Sequence, residues 1–81
     1  MTYRVQYSDE AQSNVAALSR PTRRAFEADV NTLAADPYGR GSIALRGRDY
    51  REVLLGGCIT VYWVSGAEVR VISVVRVQGP P

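Results

Sequence analysis

The sequence predicts an α+β fold of order β-αα-βββ: a four-stranded, mainly antiparallel sheet with a helical hairpin on one face and the other face exposed. Three observations predict it. Residues 48–77 hold three runs of β-branched, aromatic and aliphatic residues, divided by Gly56-Gly57 and by Ser65-Gly66-Ala67-Glu68, and runs divided by such turn signals read as an antiparallel meander. Residues 9–35 carry apolar side chains three and four apart, the spacing of a helix stripe. Residues 3–7 alternate apolar and polar, as a strand with one covered face does.

In chain order, Tyr3, Val5 and Tyr7 fall on one side of the first strand, and Arg4 and Gln6 on the other. Ser8 or Asp9 then caps a helix whose first turn carries Asp9 and Glu10, acids at the positive end of the helix dipole. Ala11, Val15 and Leu18 form its buried stripe. Ser19-Arg20-Pro21 interrupts it, and Pro21 suits the first turn of a second helix over residues 22–35, with Phe26, Val30 and Leu33 facing inward. Asp36-Pro37 stops that helix. Residues 37–47 form the longest irregular segment, with Ile43 and Leu45 as its anchors to the core. The meander strands run over residues 49–55, 58–64 and 69–77. The last is apolar at nearly every position, which places it at the sheet's centre. Strand alternation groups Trp63 with Ile59 and Val61, where it reads as core ahead of a base-stacking platform, and puts Tyr62 on the opposite face with Thr60 and Cys58, where a functional surface would lie. The same alternation sets Arg70 and Arg76 on one face with Ile72 and Val74.

Eighty-one residues make one domain, residues 1–77, followed by a tail, residues 78–81, with no reason to order. At 46% hydrophobic and 22% charged, the composition is that of neither a disordered chain nor a membrane protein. No apolar run approaches the roughly 18–20 residues of a bilayer span, and the N-terminus lacks a basic region followed by an apolar core, so the chain is expected in the cytoplasm. Cys58 is the only cysteine and histidine is absent, which excludes an internal disulfide, a Cys/His metal site and imidazole catalysis. Cys58 reads as a small buried hydrophobe. All ten basic residues are arginine, whose planar forks suit phosphate. Residues 1–39 hold four arginines against five acids, net −1, and residues 40–81 hold six against three, net +3. The positive charge travels with the sheet, as it would for an anionic partner on that side or for a slightly biased solvated surface.

Five pieces carry a family resemblance: the opening TYRVQYSDEA, the helical run ending in LAADP, the LRG of Leu45-Arg46-Gly47 followed shortly by Tyr50, the VYWV of residues 61–64, and the VISVVRV of residues 71–77. In this order and spacing the chain resembles the RelE/ParE toxins of bacterial type II toxin–antitoxin modules over nearly its whole length. The resemblance implies a sheet in which the first strand lies beside the last, with helices on one face. Its opposite, concave face cleaves messenger RNA on the ribosome in RelE-like members, with no metal and no cofactor. ParE-like members poison DNA gyrase on the same fold. Both kinds imply a cognate antitoxin, whose amphipathic helix or extended segment would cover the toxin's apolar and basic surface.

Cleaving RNA without a metal needs the 2′-OH deprotonated, the phosphorane's extra charge stabilised and the leaving 5′ oxygen protonated. Carried over by position, the resemblance gives Arg51 as one basic residue of the site and Arg76 as the late one that stabilises the transition state, with Tyr50 or Tyr62 for proton transfer. Arg46, Arg48 and Arg70 are the RNA-binding candidates; Arg46 and Arg48, flanking Gly47, serve equally well as caps of a turn. The pattern also departs from the family. Val53 stands where a second base is common, Ile59 where many members have a phosphate-contacting arginine, and Gln78-Gly79-Pro80-Pro81 where a basic stretch and an aromatic close many sites. Weakened cleavage follows, or a non-catalytic protein that only binds gyrase or its antitoxin. Glu52 is a possible base, but alternation sends it to the other side from Arg51, where it reads more simply as an ion pair or an exposed charge. The nucleic-acid reading requires Arg51 and Arg76 to share one uncovered face, and the helices to leave the Tyr62 surface bare.

Overall fold

Ser8 turns the first strand into the first helix and ties both to the end of the chain. In the computed structural model, which describes residues 2–66 and 69–80, strand β1 (Arg4–Tyr7) stops just before it. The Ser8 hydroxyl accepts from the Ala11 amide at 3.0 Å and so caps helix α1 (Asp9–Ala16), with Asp9 and Glu10 in its first turn as expected. Helix α2 (Arg20–Ala35) begins two residues before its predicted start, because Ser19 caps it and Pro21 sits in its first turn. Phe26, Val30 and Leu33 are all buried.

Four of the five strands match the predicted ones: β1, β3 (Tyr50–Leu55), β4 (Cys58–Ser65) and β5 (Val71–Gln78). A short strand β2 (Ile43–Arg46) forms inside the segment expected to be irregular and pairs with β3 at the sheet's edge. Its Ile43 and Leu45 are not core anchors, since they are 59% and 44% exposed. Ala67 and Glu68, from the expected turn after β4, lie outside the described residues, as do Met1 and Pro81. The spatial order is β1-β5-β4-β3-β2, with β1 parallel to β5 and the other pairs antiparallel. The first strand therefore lies beside the last. β5 has neighbours on both sides, but β4 holds the middle.

Residues paired across strands share a face, so the register sorts the two surfaces. One face carries Val53 and Leu55 of β3, Cys58, Tyr62 and Val64 of β4, and Ile72, Val74 and Val77 of β5, packed with Ala11 of α1 and with Phe26, Val30 and Leu33 of α2. Burying a side chain the size of Phe26 contributes about 1.5–3 kcal/mol. The other face has no helix over it.

Two joints fix the helices to the sheet. Asp29 of α2 accepts from the Gly56 amide at 2.7 Å in the β3–β4 turn and pairs with Arg40 at 2.6 Å. On the other side, Ser8 donates to the Val75 carbonyl at 2.7 Å, and Asn14 accepts from the Val77 amide at 3.0 Å. These two bonds bracket a break in the β4–β5 register, where Val61 pairs with Arg76 but Tyr62 pairs with Val74. Val75 is an extra residue in β5, a β-bulge. Gln78 belongs to β5 rather than to the tail, and Gly79 and Pro80 lie along a groove beside Leu18, in the link between α1 and α2.

Candidate functional site

The uncovered face is built from cross-strand rows. Arg46, Tyr50, Trp63, Ser73 and Gln6 form one row, in that order from β2 to β1. On one side lies the row Ser65, Val71 and Arg4, and on the other the row Ile43, Glu52, Val61 and Arg76. Beyond that, Leu54 and Ile59 complete an apolar corner with Ile43, around a depression of about 250 Å³. Trp63 and Tyr50 pack as a tilted pair, with ring centroids 4.4 Å apart and planes at 42°, at the close edge of the spacing aromatic pairs favour.

Trp63 was expected in the core, yet it is 47% exposed. Ile59 and Val61 do share its face, as alternation requires, but that apolar face is the one without helices. Tyr62 was expected on the functional surface and is instead fully buried, its hydroxyl donating to the Pro37 carbonyl at 2.6 Å. The helices and the segment after α2 cover the surface that carries it.

Arg51 pairs with Tyr62 and so projects to the helix side, while Arg76 pairs with Val61 and projects to the open side. The two arginines point apart, and the site drawn from Arg51, Arg76 and Tyr62 is not assembled. Arg51 instead clamps the segment between α2 and β3. Its guanidinium donates to the Ser42 hydroxyl at 3.0 Å, the Ser42 carbonyl at 3.2 Å and the Arg48 carbonyl at 2.9 Å. It also lies 5.3 Å from the centroid of the Tyr38 ring, with Arg48 4.1 Å from the same centroid, both within cation–π range. Arg48 is thus drawn to Tyr38 while Arg46 stands on the open face beside Tyr50.

The bulge at Val75 reverses the alternation after Val74. Arg76 therefore lies opposite the face of Ile72 and Val74, not on it, and Arg70 is exposed just before β5 begins. Glu52 does project away from Arg51, as expected, and shares the open-face row of Arg76. It is the only acid in the five strands. The open face thus gathers Arg46, Tyr50 and Arg76 from the expected set, together with Arg4, Glu52 and Trp63. The signal that could have found Trp63 was the apolar character of both faces of residues 58–64: one of them had to stay uncovered.

Perturbed acids lie away from this face. Burial raises the Tyr38 hydroxyl above its ordinary 10.0, and the hydrogen bond to Asp49 at 2.7 Å adds to the rise. Burial, and then the charge of Glu27, raise Tyr7 likewise, and burial pushes the Cys58 thiol up. A tyrosine with a raised folded-state value loses its proton first in the unfolded chain. The contribution of Tyr38 and Tyr7 to stability is therefore whole below about pH 10 and is lost as the pH climbs through the higher folded-state values. Denaturant midpoints measured from neutral pH to beyond 10 should stay level with respect to these groups and then fall, with Tyr38→Phe falling less steeply.

No protein-family model matches the chain, and no curated protein matches it in sequence. Solved structures do. The RelBE2 toxin–antitoxin complex of Mycobacterium tuberculosis contains a chain superposing with a TM-score of 0.80 at 18% identity, covering 98% of this chain and 99% of that one. The archaeal RelE–RelB complex of Pyrococcus horikoshii gives a TM-score of 0.76 at 22% identity over 98% of this chain and 96% of that one. A doubly substituted E. coli toxin RelE in the free state gives 0.80 at 23% identity over 98% and 84%. With two helices on one face of a mixed sheet whose first and last strands are neighbours, this chain has the fold of the RelE toxins.

Proposed function

We propose that this chain is the toxin of a type II toxin–antitoxin module, and that it meets messenger RNA on the ribosome across its open sheet face as a weakened RelE-like ribonuclease. The site expected from Arg51, Arg76 and Tyr62, which the nucleic-acid reading required, does not form; what carries the reading instead is the uncovered face, where Arg4, Arg46 and Arg76 lie around a tilted Tyr50–Trp63 pair on a RelE fold. Arginine holds its charge at any working pH and cannot serve as a base, so its part is to bind phosphate and to stabilise the phosphorane. Arg76, exposed on the open face, is our candidate for that role. Glu52, in the same row, is the carboxylate that would take the 2′-OH proton, and the Tyr50 hydroxyl the donor for the leaving oxygen. Ile59 supplies no charge where an arginine would help, and removing one such preorganised donor costs about a hundredfold or more in rate. The antitoxin's place is the same face, where the apolar corner of Ile43, Leu54 and Ile59 needs a cover. Two of the structural neighbours are themselves toxin–antitoxin complexes.

Inducible expression alone and together with the adjacent reading frame, where a module of this kind encodes its antitoxin, tests this. The expected result is growth arrest with cleavage inside translated messages, relieved by the neighbour and reduced about a hundredfold or more by Arg76→Ala. A second reading, that the protein only binds, draws on Arg51 and Tyr62, whose polar atoms are spent on structure. Inhibited DNA supercoiling with intact messages would establish a ParE-like gyrase inhibitor and overturn the first.

A further inference from the structure

We infer that Trp63, backed by Tyr50, is a stacking platform for one nucleobase of single-stranded RNA, with Arg4, Arg46 and Arg76 placed around it to meet the phosphates. The inference rests on the reading of the open face as an RNA surface and adds the residue that holds the base and the form of RNA it takes. Trp63 is the only tryptophan in the chain and leaves 47% of its surface to solvent, although Val61 and Val71 on the same face are buried. An indole left open on a sheet, with a second ring 4.4 Å from it to fix its orientation, offers one large flat apolar surface.

The neighbours select what lies on it. Arg46 stands beside Tyr50 in the same row, Arg76 lies diagonal to Trp63 in the next row, and Arg4 stands in the row on the other side. Among the described residues none of these three is in an ion pair, the one pair found being Arg40 with Asp29. Glu52 is the only acid in any strand. A ring of unengaged guanidinium groups around an exposed aromatic favours a ligand with both a negative backbone and flat rings. A duplex keeps its rings stacked inside and cannot offer one to a side chain on a sheet, so the ligand is single-stranded.

The test uses the intact chain, whose intrinsic indole fluorescence reports on Trp63 alone. A short unstructured RNA is titrated while binding is followed separately by the anisotropy of a label on the RNA, with a duplex of the same length as comparison. Expected are quenching that tracks binding, little quenching by the duplex, and a log–log salt slope near −2, from about 0.7 per phosphate over three contacts. Trp63→Ala should weaken binding about ten- to a hundredfold while Trp63→Phe keeps most of it, and melting curves should show both variants folded. Binding that proceeds without quenching and is unchanged in Trp63→Ala overturns the platform and leaves the RNA reading standing. Quenching and binding with no cleavage of ribosome-bound message support the platform and overturn the nuclease reading alone. Quenching by an acidic amphipathic peptide with no binding of RNA overturns both and assigns Trp63 to a protein partner.

Discussion

Gly56→Ala should destabilise the protein by about 2–5 kcal/mol, from left-handed backbone strain of about 1–2 kcal/mol and overpacking of about 1–3. Gly56 has φ of 56°, a region where a Cβ crowds the following carbonyl. The added carbon would also sit 2.7 Å from the Ala25 carbonyl carbon and 2.8 Å from Phe26 Cα, and nearer still to the Phe26 amide nitrogen. These are backbone atoms of α2 in its middle turns and cannot swing aside. If the turn retreats instead, the bond from its amide to Asp29 goes with it. The neighbouring Gly57 gives the control, because its φ is 81° but nothing lies within 4 Å of an added Cβ. Gly57→Ala should cost only the backbone part, about 1–2 kcal/mol. For a domain this small each kcal/mol moves the melting midpoint by roughly 4–8 °C, so the two variants should melt well apart. Equal midpoints would show that the turn is not pressed against the helix.

Tyr62→Phe and Arg51→Met should each lower stability by about 2 kcal/mol and leave binding at the open face as it was, measured at a temperature where both are folded. In Tyr62→Phe the Pro37 carbonyl, in a buried residue, loses its donor, and an unsatisfied buried acceptor costs about 1–3 kcal/mol. Arg51→Met removes three hydrogen bonds that strap residues 42 and 48 to β3, a gross loss partly screened because the cluster borders solvent. Denaturant titration gives the stability, and RNA affinity or message cleavage gives the function. Should Arg51→Met abolish RNA binding at unchanged stability, the assignment of Arg51 to the covered side would fail. Arg76→Ala is the opposite case, with an exposed side chain, little effect on melting and a large effect on activity.

The elements were largely legible in the sequence because their signals are local. Ser8, Ser19, Pro21 and the Gly56-Gly57 pair mark boundaries through hydrogen bonds and backbone angles that act within a few residues. Which face of the sheet is covered was not legible. Cys58 to Val64 carries apolar or aromatic residues on both sides, so a period of two separates the sides without saying which of them meets the helices. That ambiguity exchanged the roles of Tyr62 and Trp63 and carried Arg51 with them. The strand Ile43–Arg46 was missed because its apolar residues stay exposed and Gly41 and Gly47 around it read as loop. The reversal at Val75 has no glycine to announce it. It is held by Ser8 and Asn14, more than sixty residues away in sequence.

That reversal bears on how such chains are to be aligned. One added residue in the last strand exchanges inside for outside for everything that follows. A homologue shorter or longer by a single codon between Val74 and Arg76 would present its terminal guanidinium to the opposite compartment, even with every neighbouring letter identical. Equivalence of late basic residues across such proteins has to be judged by hydrogen-bond partners on the adjacent strand, and column position alone would pair residues that never occupy the same space.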